Sequence, residues 1–157
     1  KGNKEQDVKK EQIVPLTNGE LVNISQVPDE VFSSKMMGDG FAIELTDSDV
    51  LAPVSGEIVM TFPTKHAYGL RGNNGVEILI HLGMDTVQLE GKGFESFVKV
   101  GEYIKQGDKL AKVDIAYIKE HGKSIVSPVI FTSGEKISIL KENCNIKKLE
   151  TEIIKID

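Results

Sequence analysis

The sequence predicts a mostly β protein: an antiparallel sandwich or closed barrel with very short helices. Two observations carry that expectation. Fifteen glycines are scattered between short β-prone runs, a spacing that favours many turns and strands over long helices. Several of those runs also alternate apolar and polar residues with the two-residue period of a half-buried strand. A chain of 157 residues is one domain's worth and long enough to bury a core.

Residues 1–12 are almost wholly polar and are expected to be a disordered tail or linker, with the globule occupying 13–157. That stretch lacks the apolar face of a membrane-surface helix. Opening without methionine, it reads either as a linker remnant from a longer multidomain transporter or as a cloning boundary. Ile13-Val14-Pro15-Leu16 and Gly19-Glu20-Leu21-Val22 are expected strands around a Thr17-Asn18-Gly19 turn. Residues 27–37 read as irregular or briefly helical, yet carry more large apolar groups than a loop needs. Val31, Phe32, Met36 and Met37 either anchor that loop on the core or form an apolar docking patch, a use that suits adaptable methionines.

Phe41-Ala42-Ile43-Glu44-Leu45 alternates as a strand, Asp47-Ser48-Asp49 is a turn, and residues 51–62 read as strand, tight glycine turn, strand. Residues 94–98 suggest a short helical turn. The best helix runs over 114–120 and ends at His121-Gly122, where the carbonyl end of a helix favours a cationic side chain. Residues 126–131, 136–140 and 153–156 complete the strands, with Ser127-Pro128-Val129 echoing the earlier Pro53-Val54-Ser55-Gly56 loop. The run from Val100-Gly101 to Gly107-Asp108-Lys109-Leu110 resembles biotinyl and lipoyl carriers. Lys65, the only lysine near a comparable turn, has the wrong neighbours, so that pattern is taken as shared β architecture.

The chemistry concentrates in residues 75–87. Val76, Ile78, Ile80 and Leu82 form an apolar face, which leaves Glu77, Leu79 and His81 on the other face before Gly83 breaks the run. Upstream, Thr64, His66 and Tyr68 share a direction if that segment is extended, and a hydroxyl beside an imidazole can fix its tautomer. Gly72-Asn73-Asn74-Gly75 is a turn cluster, and a hairpin there brings His66 beside His81 on one exposed face. Two such imidazoles suit a metal, a phosphoryl group or a proton better than they suit packing. The net charge of −5 argues against nucleic acid as a partner and permits a basic protein. No apolar run approaches the roughly 18 residues that span a bilayer, so no direct membrane insertion is expected. The single cysteine, Cys144, excludes an internal disulfide and fits a reducing compartment; its polar surroundings mark it as an unactivated thiol.

Gly38-Asp39-Gly40, Ala52-Pro53-Val54-Ser55-Gly56, Thr64-Lys65-His66-Ala67 and His81-Leu82-Gly83-Met84-Asp85-Thr86-Val87 together resemble the glucose-type enzyme IIA (EIIA) domain of the bacterial sugar phosphotransferase system, in order from about Val14 onward. The resemblance implies a cytoplasmic phosphohistidine carrier, tethered to the membrane where it is fused to or associated with its transporter. His81 would be the phosphoacceptor, His66 would stabilise the phosphoryl group, and Thr64 would orient His66. The donor would be the phosphocarrier protein HPr and the acceptor a cysteine of the EIIB domain, with transporters or kinases as regulated partners. Partner contacts would come from Asp29, Val31, Phe32, Met36, Met37, Phe62, Leu79, Asp85 and Val87, the two carboxylates facing an arginine on HPr. No cofactor is required, although His66 and His81 are candidate zinc ligands. The rival expectation is a zinc hydrolase with His66, His81 and Asp85 as ligands. The His-x-His pair of such sandwich-fold peptidases is missing, since Leu79 stands in its place.

Overall fold

The computed structural model describes residues 12–141, 145–148 and 150–157. Its strands are β1 (Gly19–Asn23), β2 (Gly40–Leu45), β3 (Asp49–Leu51), β4 (Gly56–Thr61), β5 (Ala67–Gly72), β6 (Glu77–His81), β7 (Phe94–Ser96), β8 (Tyr103–Ile104), β9 (Lys109–Val113), β10 (Val126–Phe131), β11 (Ile137–Ile139), β12 (Asn145–Ile146) and β13 (Ile154–Ile156). An eight-stranded sheet in the order β12-β1-β2-β10-β6-β5-β4-β8 faces a three-stranded sheet β3-β9-β7 and a two-stranded pair β11-β13. Every pairing between these strands is antiparallel. The all-β expectation therefore holds, with helix among the described residues confined to Glu30–Ser33, Ile115–His121 and two 3-10 turns.

The two-residue period decides what each face of the sheet buries. Phe41, Ile43 and Leu45 of β2, Ile78 and Ile80 of β6, and Val129 and Phe131 of β10 enter the main core with Tyr68 and Leu70 of β5. The intervening residues Ala42 and Ile130 turn to the opposite face. There they join Ile24, Val27, Phe32 and Met84 in a smaller cluster, against which Leu79 packs. The central strands are thus covered on both faces where sequence alternation suggested one. The second cover is the Ile24–Ser33 segment, and it brings the short helix against the outer face of β6.

Several local expectations need correction. Ile13 to Leu16 is buried but forms no strand; its backbone is held through bonds such as Val14 N–H to the Pro53 carbonyl at 3.1 Å. Residues 94–96 form β7 rather than a helical turn, because Phe94 to Ser96 pair with Ala111 to Val113. Ser127-Pro128-Val129 lies, as expected for 126–131, in the middle of strand β10. The helix prediction holds: Ile115–His121 is capped by Asp114, which accepts from the Tyr117 N–H. His121 at its end stacks on Tyr117 with ring centres 4.2 Å apart, a packing role. Residues 1–11 of the expected tail and Cys144 lie outside the described residues. Gln12 is described, and its backbone carbonyl accepts from Gln106 while its side-chain oxygen accepts from the Glu152 N–H.

Candidate functional site

The β5–β6 hairpin turns through Asn73 and Asn74 and aligns Ala67 with His81, which places His66 diagonally across from His81. The two rings meet edge to face with centres 5.0 Å apart. The pairing expected from sequence is present, but its surroundings differ from the expectation. His66 is only 3% exposed, and His81 is half-buried, so the pair lies in a recess and not on an open face. Phe32 leans on the His81 ring at 5.1 Å, and Phe62 meets the His66 ring edge-on at 5.2 Å.

Thr64 reaches His66 by an unexpected route. The segment is not extended: Lys65 adopts a left-handed conformation at φ 63°, and that turn sets the Thr64 hydroxyl 2.7 Å from His66 Nδ1. Tyr68 does not share their face. It is fully buried in the main core, and its hydroxyl donates to the Lys65 carbonyl, which helps to hold the turn.

His81 Nδ1 lies 2.7 Å from the Gly83 carbonyl oxygen. A carbonyl only accepts, so Nδ1 carries the proton and the neutral ring keeps its lone pair on Nε2. Gly83 can supply that carbonyl because it sits at φ +76°. A Cβ there would also come within 2.7 Å of Thr86 Cγ2 and 2.8 Å of the Ser124 carbonyl. Burial pushes both histidines toward the neutral form. His66 falls to about 4, chiefly through burial and secondarily through the nearby charge of His81. His81 is also lowered by burial, while the bond to Gly83 and the charge of Asp29 act in the opposite sense.

Asp29 caps the Glu30–Ser33 helix, accepting from the Val31 N–H at 2.9 Å, and its loop is pinned where Lys123 Nζ donates to the Pro28 carbonyl. Val31, Met36, Met37, Phe62 and Val87 are exposed, whereas Phe32 is buried and Leu79 half-buried. Met37 and Leu79 line one side of a shallow groove that Met60 continues, a residue the sequence reading did not single out. Asp85 stands left-handed at φ 55° before the 3-10 turn Thr86–Leu89 and makes no side-chain capping bond there. Sequence reasoning also missed Gly83 as a functional group, since a backbone acceptor leaves no side-chain signature.

Zinc can be tested against this geometry. A catalytic zinc needs three protein ligands and an open position. Among the described residues no group of three His, Cys, Asp or Glu side chains converges, so Asp85 does not complete a set with His66 and His81. A hydrolase centre does not fit; the two imidazoles alone could share a metal only with ligands from elsewhere.

Fold and site define a class: an antiparallel β domain presenting an imidazole whose Nδ1 proton is held by a backbone carbonyl, with a second, buried imidazole beside it. The family model described as phosphoenolpyruvate-dependent sugar phosphotransferase system, EIIA 1, matches residues 11–137, and the chain belongs to that family. It is similar to the PTS system glucose-specific EIIA component of Staphylococcus epidermidis (strain ATCC 35984), at 49% identity covering 90% of this chain and 86% of that protein. The component of the same name from Staphylococcus aureus (strain COL) is 46% identical over the same shares. Among solved structures, glucose permease IIA from Mycoplasma capricolum matches with a TM-score of 0.85 and 43% identity, covering 92% of this chain and 94% of that one.

Proposed function

We propose that this domain is a phosphohistidine carrier that takes a phosphoryl group from phospho-HPr on His81 and passes it to a cysteine of an EIIB domain. The observation that carries the reading is the Nδ1–H bond from His81 to the Gly83 carbonyl, which leaves Nε2 with its lone pair beside His66. That lone pair forms a new P–N bond while the bond from phosphorus to the donor breaks. No proton has to leave the nucleophile first, because Nδ1 holds it throughout. Phosphoryl transfer of this kind asks mainly for positioning and for stabilisation of charge on the equatorial oxygens.

His66 would supply that stabilisation. With the Thr64 hydroxyl donating to Nδ1, the neutral His66 ring carries its proton on Nε2 and offers it to a phosphoryl oxygen. Around the pair, Val31, Met36, Met37, Phe62, Leu79 and Val87 would form the apolar docking surface, with Asp29 and Asp85 at its rim. The relay needs no cofactor, and zinc held by both Nε2 atoms would block phosphoryl acceptance. Because its proposed relay partners act in the cytoplasm, the domain is read as cytoplasmic; among the described residues no helix is long and apolar enough to cross a membrane. Glucose is the sugar that the names of the relatives suggest, and the membrane domain served would decide it.

The test is incubation with phosphoenolpyruvate, enzyme I and HPr, followed by intact mass and acid treatment. An acid-labile gain of one phosphoryl group, absent in His81→Ala, is expected. A gain that survives in His81→Ala would move the acceptor elsewhere.

A further inference from the structure

His81 stands where its own ladder stops. The β10–β6 register aligns Val129 with Ile80 and Ile130 with Leu79, so its continuation sets Pro128 opposite His81. A proline has no N–H to offer, and no pairing between the strands continues beyond Ile80. The chain after His81 must be held by other means. Leu82 N–H donates to the His66 carbonyl at 2.7 Å, and Met84 N–H to the Ser124 carbonyl at 2.8 Å. Between them, Gly83 N–H donates to the hydroxyl of Ser127 at 3.0 Å, and that hydroxyl donates in turn to the Ile125 carbonyl at 3.0 Å. Ser127 is fully buried.

We infer that Ser127 is a positioning residue for phosphoryl transfer: by holding the Gly83 N–H it fixes the Leu82–Gly83 peptide, and through the Gly83 backbone it sets the next carbonyl, that of Gly83, where it holds the proton on His81 Nδ1. The inference rests on His81 being the phosphoacceptor. The chain of bonds is directional. The Ile125 carbonyl can only accept, so the Ser127 hydroxyl points its proton there and turns a lone pair to Gly83 N–H. Without that hydroxyl the Gly83 N–H is buried and unpaired, which disfavours the observed peptide orientation. As that peptide turns, the Gly83 backbone turns with it, and the Gly83 carbonyl on the following peptide leaves His81 Nδ1. Part of the population then moves its proton to Nε2, the atom that must attack. Among the described residues no other side chain bonds the Gly83 N–H; the Thr86 hydroxyl, which donates to the Leu82 carbonyl, holds the opposite end of the same peptide.

The experiment compares wild type, Ser127→Ala, Ser127→Thr and Val113→Ala, the last a core truncation remote from this chain of bonds. The ring nitrogens of His81 are followed by 15N NMR at neutral pH, and phosphorylation by phospho-HPr is timed by rapid quench. In Ser127→Ala the Nε2–H tautomer is expected to appear and the rate to fall about tenfold, the low end of what outer hydrogen-bond partners of functional histidines are worth. Ser127→Thr, which keeps the hydroxyl, should restore both, and Val113→Ala should change neither. An unchanged His81 tautomer in folded Ser127→Ala would overturn the inference, as would an equal tautomer shift in Val113→Ala. Should Ser127→Ala fail to fold, Ser127→Thr decides: a rate or tautomer unlike wild type despite the retained hydroxyl overturns it. A wild-type protein that never takes up phosphate at His81 would instead overturn the carrier reading, and the NMR comparison would still report on the chain of bonds.

Discussion

His66 is held neutral well below physiological pH. In the proposed carrier, protonating it would place a cation beside His81 and change the hydrogen-bond pattern. Burial prevents this, with His66 depressed from 6.5 to about 4. Between those two values the unfolded chain binds a proton on this ring that the folded chain refuses. Stability is therefore expected to fall as pH drops from 6.5 toward 4, by up to about 3 kcal/mol, and to be insensitive to this group above 6.5. Thermal melts across that window check it: His66→Gln should flatten the dependence, and an equally steep slope in the variant would assign it to other groups. In transfer, the same variant should still accept phosphate on His81 but deliver it to EIIB roughly 10²–10³-fold more slowly, the cost of losing one donor to a developing oxyanion. Quenched-flow decay of the isolated phospho-variant, in the presence of EIIB and sugar, measures this, and normal delivery would remove His66 from the chemistry.

Among the elements, the β5–β6 hairpin was the most legible in sequence. Alternation in 76–82 and the Gly72-Asn73-Asn74-Gly75 turn report local preferences, and both survive in the fold. What sequence could not convey is the second layer over that hairpin. The burial of His66 and the contact of Phe32 with His81 depend on the Ile24–Ser33 segment folding over β6, a long-range event with no local signature. The Thr64–His66 bond was anticipated from strand geometry but is made by a left-handed Lys65, a conformation for which lysine gives no hint. The Gly38-Asp39-Gly40 motif carried the family resemblance but is structural. Asp39 accepts from the Ile137 N–H at 2.8 Å, and a Cβ on Gly40 would lie 1.9 Å from the Val129 carbonyl oxygen. Gly40→Ala should thus force β2 from β10 and destabilise the domain by more than about 3 kcal/mol. A denaturant midpoint near that of wild type would show that the two strands can separate cheaply.

At the scale of the whole molecule, the site is built where three arrangements coincide: the hairpin, the covering helix and the Gly83 turn. The main core beneath β6 and β10 holds them in register. The outward surface then combines exposed apolar groups with the Asp29 carboxylate, on a chain of net charge −5. Apolar contact fixes how tightly a partner sits, whereas rim charge mainly sets how fast it arrives and how it is oriented. A donor presenting a basic face should hence lose encounter rate with rising salt, as screening shortens the reach of these charges to about 8 Å at physiological ionic strength. The apparent second-order rate of phosphorylation by phospho-HPr is expected to fall severalfold between low and physiological salt, with the saturated rate nearly constant. Asp29→Asn should reduce that slope while leaving the tautomer of His81 in place, since the proton on Nδ1 is held by Gly83. Val31→Ser should instead weaken the complex at every salt concentration through faster dissociation. Rates independent of salt in the wild type would mean that docking is governed by the apolar surface alone, with the carboxylate serving only to cap its helix.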